Sequence, residues 1–148
     1  MLRRLLHLYW RFSRGMTLGV RAVVIDGDKR VLLVRHGYTP GWHLPGGGVE
    51  PGETLLDALT RELAEEANVI VAGPPALHGV FFNRAATQRD HVALFIVHDF
   101  AQGTAPEPSY EIQEARFFPI AELPADTTAA TRRRLDEIVS GRAPAADW

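Results

Sequence analysis

Along most of the chain the apolar positions fall into short runs, each closed by glycine, proline or aspartate. Residues 20–25 and 31–34 are β-branched or leucine-rich and read as strands. Between them lie Asp26, Gly27, Asp28, Lys29 and Arg30, and the Asp-Gly pair predicts a tight turn that joins the two runs as a hairpin. Residues 42–44 form a further short strand, stopped by Pro45 and by Gly46, Gly47 and Gly48, which no strand interior would carry. Strands are also expected over residues 69–72, 77–82, 91–100 and 115–119. The period changes at residues 54–68, where Leu55, Leu59 and Leu63 recur every four residues and Thr54 with Asp57 forms a capping-box pattern. That spacing predicts a helix. A second helix is predicted over residues 131–139, ending near Gly141. Helices and strands in this mixed order predict an α/β fold with helices laid over a mixed sheet.

The first residues follow a different pattern. In MLRRLLHLYWRFSR, Leu2, Leu5, Leu6, Tyr9 and Phe12 recur at helical spacing beside Arg3, Arg4, Arg11 and Arg14, which predicts an amphipathic helical segment in residues 1–15. His7 and Arg11 interrupt the run and no small-residue cleavage site follows, so the segment does not make a secretory signal, and a cytoplasmic protein is expected. Packing of this helix on its own domain, or on a second copy in a homodimer, is preferred over attachment to an anionic membrane surface. The first 21 residues nevertheless contain five arginines and no acid. No apolar run is long enough for a membrane span. The rest is read as one domain over residues 16–140 and a C-terminal tail over 141–148.

A length of 148 residues with 46% hydrophobic content suits one domain around one core. The formal charge of -2 and a pI near 6.3 provide no positive field to hold a nucleic-acid polymer, so none is expected as a partner. The absence of cysteine removes disulfides, thiolate zinc sites and a cysteine nucleophile. Chemistry therefore has to use oxygen and nitrogen groups, and any metal would be of the hard, oxygen-bound kind.

On the predicted helix Glu62, Glu65 and Glu66 are related as i, i+3 and i+4 and share one edge beside the leucine stripe. From Gly47 to Val69 there are six acids and one base, Arg61, so a cation from outside the chain would relieve the repulsion. An acidic helix face is most often only a solvated surface. Here, however, the glycine-rich turn Pro45-Gly46-Gly47-Gly48 stands just before it, and missing side chains let a backbone approach a phosphate or an ion. Glu53 lies too far before Arg61 for an ordinary i,i+4 pair, and only a bent connection would bring them together.

The segment GGVEPGETLLDALTRELAEEANV, from Gly47 to Val69, resembles the Nudix box, G-x5-E-x7-R-E-U-x-E-E-x-G-U with U a bulky aliphatic residue. Gly47, Glu53, Arg61, Glu62, Leu63, Glu65, Glu66 and Val69 stand where that pattern asks for them. Asn68 replaces the second glycine, and after glycine asparagine best tolerates the left-handed turn that ends a helix. The box covers 23 of 148 residues, and the surrounding strand order extends the likeness from about Gly19 to Leu123. The resemblance implies an α/β/α sandwich with a mixed sheet. It also implies an enzyme that hydrolyses a nucleoside diphosphate linked to another group X, with Mg²⁺ or Mn²⁺ held by the helix. By the family's pattern Glu62 and Glu66 are direct metal ligands, Glu65 shares the ions and the Gly46 carbonyl is an extra ligand. Glu53 and Arg61 are implied as a buried salt bridge that orients the loop on the helix, in preference to a contact from Arg61 to phosphate.

The family draws its general base from several places, and Glu111, in the acidic stretch before the last strand, is the first candidate here. Glu114 is the second, and Glu65 is a rival from inside the box. Gly47 and Gly48 are candidates for meeting phosphates, as are Arg35, Arg84 and Arg89, although for each of these arginines an ordinary strand-end or loop position is the preferred reading. Trp42, Tyr38, Phe81 and Phe82 could include a base-stacking platform, although at least two of the four are expected in the core. His36, His43 and His91 form no zinc spacing and are read as surface or packed residues. Residues 84–87 lack the proline that marks ADP-ribose hydrolases, and no extended N-terminal sheet precedes the box, so ADP-ribose and coenzyme A lose weight as substrates. A (d)NTP, an oxidised nucleotide or a nucleotide-linked sugar or alcohol remains. The competing readings are a Nudix-like module that senses a nucleotide without cleaving it, and a metal-buffering scaffold, which would leave the glycine turn unexplained.

Overall fold

The computed structural model describes residues 2–148, so the first residue of the expected N-terminal segment lies outside the described residues. The elements in chain order are α1 (Leu2–Ser13), β1 (Thr17–Val24), β2 (Arg30–His36), β3 (Trp42–His43), α2 (Leu55–Ala67), β4 (Val69–Val71), β5 (Ala76–Phe82), β6 (Asp90–Val97), β7 (Phe100–Gln102), β8 (Ile112–Pro119) and α3 (Ala129–Val139).

The central strands β1, β2 and β6 are buried on both faces along much of their length. Val20, Ala22 and Val24 of β1 pack with Leu59 and Leu63 of α2, whereas Val23, one residue out of phase, packs with Phe81, Leu94 and Leu135 of α3. A sheet layer that buries alternate side chains under helices on opposite sides is an α/β/α sandwich. β1 runs parallel to β6, from Thr17 opposite Asp90 to Val24 opposite Val97, and β5 is antiparallel to β6, which makes the sheet mixed. β2 stands between β3 and β8, antiparallel to both, and β4 pairs with β7.

The hairpin expected from residues 20–34 does not form. The turn exists: the Asp26 carboxylate accepts the N–H groups of Asp28 at 3.0 Å and Arg30 at 2.9 Å. The strands part after one bridge, Ile25 to Val31, and enter different sheets. Both edges of β1 are already taken, one by β6 and the other by the glycine-rich segment, where Val20 N–H donates to Gly47 at 2.9 Å and Ala22 N–H to Pro45 at 2.9 Å. The strand expected over residues 91–100 is also split, into β6 and β7, because the Asp99 carbonyl turns to accept Ala72 and Gly73 N–H.

The caps on α2 follow the sequence pattern. Thr54 and Asp57 exchange side-chain to backbone hydrogen bonds at the N-terminus, and Asn68 closes the helix in the left-handed region at φ 52°. Asn68 also donates from its side chain to the Thr104 carbonyl at 3.0 Å.

The two chain ends differ in how they meet the body. The α1 side chains from Arg3 onward are exposed, and the helix makes no extended packing contact with any other helix or strand, so it does not pack on its own domain. Residues 141–148 are stitched to the body: Phe82 bridges to Asp147, Trp148 N–H donates to Phe82 at 3.0 Å, and Arg134 donates to the Asp147 carbonyl at 2.7 Å. Arg134 is itself buried, stacked over Phe81 and paired with Glu137 at 2.8 Å.

Candidate active site

A cleft of about 590 Å³ opens where α2, the glycine-rich segment and the start of β1 meet. Its walls carry Glu62, Glu65 and Glu66 from α2, Gly46, Gly47 and Gly48 from the preceding turn, and Glu111 from the segment before β8. Residues far apart in sequence meet there because β1 holds the glycine segment on one edge while α2 packs across its face.

The two tightest glycines have distinct reasons. Gly46 has φ +135°, and a Cβ there would overlap the Val20 carbonyl oxygen. Gly47 faces α2, and a Cβ on it would overlap the Glu62 carboxylate. The absence of side chains thus lets backbone and glutamate come into contact.

Arg61 ties the loop to the helix. Its Nε donates to Glu53 Oε1 at 2.7 Å and its Nη2 to Glu53 Oε2 at 3.0 Å and to the Gly48 carbonyl at 3.1 Å. Its Nη1 donates to Glu62 Oε1 at 2.7 Å and lies 3.5 Å from Glu65 Oε2. The pair expected to be buried is only partly so, with side-chain exposures of 30% for Arg61 and 21% for Glu53. Hydrogen bonds from Arg61 and from the Glu50 N–H hold the Glu53 carboxyl down at about 2. Glu53 makes the bent connection work by turning back on itself, with Glu53 N–H donating to the Glu50 carbonyl at 3.0 Å.

Glu66 is the most secluded acid, 5% exposed, and its Oε2 accepts the Gly46 N–H at 2.7 Å. Burial pushes its carboxyl up to about 8, against the lowering effects of the Gly46 hydrogen bond and the Arg21 charge. Among the described residues no group of three acids or histidines converges as a ready ion site. The reason is visible in the partners: Glu62 and Glu65 turn to Arg61, and the Gly46 carbonyl, an expected ligand, accepts from Arg21. The donor set is nevertheless all hard oxygen on one wall, and a buried carboxylate with a single N–H donor is the kind of group a divalent cation relieves. The residues fit such an ion, provided Glu62 and Glu65 rotate away from Arg61.

The remaining sequence candidates divide clearly. Glu111 and Glu65 share the cleft, but Glu114 lies on β8 against Arg116 at 3.4 Å, outside it. Arg35 pairs with Asp126 at 3.0 Å and stacks over Trp42, which is 3% exposed and packs on Phe118. Arg84 pairs with Asp147 at 3.3 Å and stacks over Phe82. None of Arg35, Arg84 and Trp42 opens onto the cleft; each is spent on packing or an ion pair. Phe81 is likewise core, and Arg89 holds the end of α1 through the Gly15 carbonyl at 3.1 Å.

Arg21 and Trp148 line the cleft without having stood out in the sequence, and Tyr38 does so as one of several aromatic candidates. Arg21 is the single charge in the apolar run of β1, a signal that could have marked it. Trp148, next to Asn83 and Asp90 on the wall, gives no periodic signal at all. Tyr38 was one of four aromatic candidates, and only the fold separates it from the others; burial, with Glu111 and Glu66 near it, raises its hydroxyl above the ordinary tyrosine value.

An α/β/α sandwich with a glycine turn set against a glutamate-bearing helix defines the class. The model of the NUDIX domain matches residues 15–137, and the chain belongs to the Nudix family. It is 33% identical over 110 residues to an ADP-ribose pyrophosphatase from Methanocaldococcus jannaschii, covering 70% of this chain and 64% of that one. A shorter match, 44% over 57 residues, joins it to an RNA pyrophosphohydrolase from Halorhodospira halophila, covering 38% of this chain and 32% of the relative. The chain therefore spans less than two thirds of either relative's length. Among solved structures, the MutT NUDIX hydrolase from Burkholderia pseudomallei superposes with a TM-score of 0.71 at 25% identity, over 84% of this chain and 98% of that one.

Proposed function

We propose that this chain is a pyrophosphohydrolase that cleaves a nucleoside diphosphate linked to a moiety X, in the cytoplasm, with Mg²⁺ or Mn²⁺. The observation that carries the reading is the opening of Glu62, Glu65, Glu66 and Glu111 onto one cleft with the glycine turn. Glu62, Glu65 and Glu66 would hold the ions. When bound, such ions neutralise the diphosphate and make an attacking water more acidic. The rest falls to the chain. Gly47 and Gly48 leave room for phosphate oxygens, and Arg61 with Glu53 keeps the loop at a fixed distance from the helix. Glu111 takes the proton of the attacking water, with Glu65 as its rival. The water oxygen bonds to phosphorus, the bridging P–O bond breaks, and the leaving phosphate carries away that electron pair.

As substrate, a nucleoside triphosphate, an oxidised nucleotide or a nucleotide sugar or alcohol each presents such a diphosphate. The relative named as an ADP-ribose pyrophosphatase keeps a nucleotide sugar in range, although residues 84–87 carry no proline. The test is a panel of nucleoside triphosphates, dinucleotides and nucleotide sugars, assayed for phosphate or nucleotide release with Mg²⁺ and then with EDTA. Metal-dependent turnover of one member supports the enzyme. Tight binding of a member without turnover of any would replace it with a sensing module.

A further inference from the structure

Among the described residues, the widest apolar face left in water belongs to α1. At 100° per residue, Leu5, Leu6, Leu8, Tyr9, Trp10 and Phe12 span an arc of about 200°, and Arg3, Arg4, His7, Arg11 and Arg14 cluster within an arc of about 100° on the opposite side, without an acid among them. Ser13 alone among the polar residues falls inside the apolar arc. Phe12 is 74% exposed, Tyr9 66%, Leu5 59% and Leu8 57%, so the face covers nothing on its own domain. The helix is tethered at its C-terminal end, where Arg89 Nη1 donates to the Phe12 and Gly15 carbonyls. Beyond it Met16 and Leu18 continue the exposed apolar surface.

We propose that α1 lies in the surface of an anionic lipid bilayer, with its leucines and aromatics among the acyl chains and its arginines at the headgroups. The observation is the pairing of a wide exposed apolar face with a polar face made only of cations, which matches a surface that is apolar within and negative at its boundary. Charge decides between occupants. The cations of α1 and Arg14 contribute +4 to a chain of net -2, leaving -6 on the rest, so the field is confined to this helix. A nucleic acid would satisfy the arginines but leave the aromatics and leucines in water. A second copy would cover the apolar face but supply no acid from its own helix to meet the arginines. Thr17 and Leu18 line the cleft within a few residues of the helix end, so a chain held this way would work close to the lipid surface.

The test is co-sedimentation of the full chain with vesicles of phosphatidylcholine alone and of equal parts phosphatidylcholine and phosphatidylglycerol, at low and high salt. The expected result is association with the anionic vesicles only, weakened by salt. It should fall about fivefold for each arginine removed, hence about 25-fold in Arg4→Gln/Arg11→Gln, and be lost in Leu8→Asp/Phe12→Asp. Both variants leave the cleft untouched, so circular dichroism and metal-dependent turnover matching the parent chain establish that they are folded. If the family activity is absent, circular dichroism alone serves, and the lipid result stands independently. No association with anionic vesicles, equal association with neutral ones, or binding that survives Leu8→Asp/Phe12→Asp would overturn the proposal. So would a dimer in solution that becomes monomeric in that variant while vesicle binding is absent, since the face would then belong to a second copy.

Discussion

Arg61 and Glu53 meet through two parallel hydrogen bonds, Nε to Oε1 at 2.7 Å and Nη2 to Oε2 at 3.0 Å, across a helix start that ordinary i,i+4 pairing could not bridge. The fork also reaches the Gly48 carbonyl, so a single guanidinium fixes the loop, the helix and Glu62 relative to one another. A lysine supplies the charge but not the planar fork. Arg61→Lys should therefore fold, and its turnover on a substrate found by the panel should drop by about 10- to 100-fold, the usual cost of losing a residue that orients metal ligands. Steady-state kinetics beside circular dichroism checks this; unchanged turnover would show that the lysine positions the loop equally well.

The two cleft glycines should fail differently. Alanine at Gly46 meets fixed backbone, the Val20 carbonyl, at a φ that side chains avoid. Gly46→Ala should lose about 1–3 kcal/mol or more in urea unfolding. Alanine at Gly47 meets only the end of the Glu62 side chain, which can swing aside. Gly47→Ala should keep most of its stability and lose turnover, because the displaced group is an expected ion ligand. Equal destabilisation in both variants would remove the distinction.

How much of this was readable beforehand depended on the range of the interactions. The α2 helix was readable to its caps because Thr54, Asp57 and Asn68 act on backbone within a few residues of themselves. Three acids of the cleft came with it, since Glu62, Glu65 and Glu66 ride on the same helix. The Asp26 turn was equally local, but the fate of its flanking strands was not. β1 takes a parallel partner more than 70 residues away in sequence, and no turn signal reports such a pairing. The same limit explains Arg35 and Arg84, whose partners Asp126 and Asp147 are distant in the chain. Trp148 reaches the cleft because Arg134, Arg133 and Phe82, all distant in the chain, hold the last residues down.

Glu66 provides a test of metal binding that is separate from turnover. In the metal-free protein its buried carboxyl, held up near 8, is largely protonated at neutral pH, so glutamine is nearly isosteric with the form present. Glu66→Gln should therefore unfold at the same temperature as the parent in EDTA, or slightly higher. Adding Mg²⁺ or Mn²⁺ should raise the parent's Tm and leave that of the variant almost unmoved, because binding to the native state alone is what shifts it. A full metal-induced shift in Glu66→Gln would take this residue out of the ligand set.

Two histidines beside the cleft set an acid limit on stability. His36 is 8% exposed, with a buried Nδ1 that has no hydrogen-bond partner, and His43 lies 5.3 Å away, centroid to centroid. Burial, then the charges of Arg21 and His43, pushes His36 below its ordinary value. Burial, then Arg21, does the same to His43, against the hydrogen bond its Nε2 makes to the Pro40 carbonyl at 3.0 Å. With both folded values lowered, the unfolded chain takes up protons first as the pH falls. Their contribution is therefore complete above about 6.5 and is lost below it. Glu66 acts in the opposite sense over part of this window, since a raised carboxyl favours the folded state as the pH falls. The histidine share is isolated by comparing the parent with His36→Gln/His43→Gln in EDTA, by urea midpoints at about pH 7.5 and about pH 5.5. On acidification the parent should lose more midpoint than the double variant; identical changes in the two proteins would show that these rings titrate alike in the folded and unfolded chains.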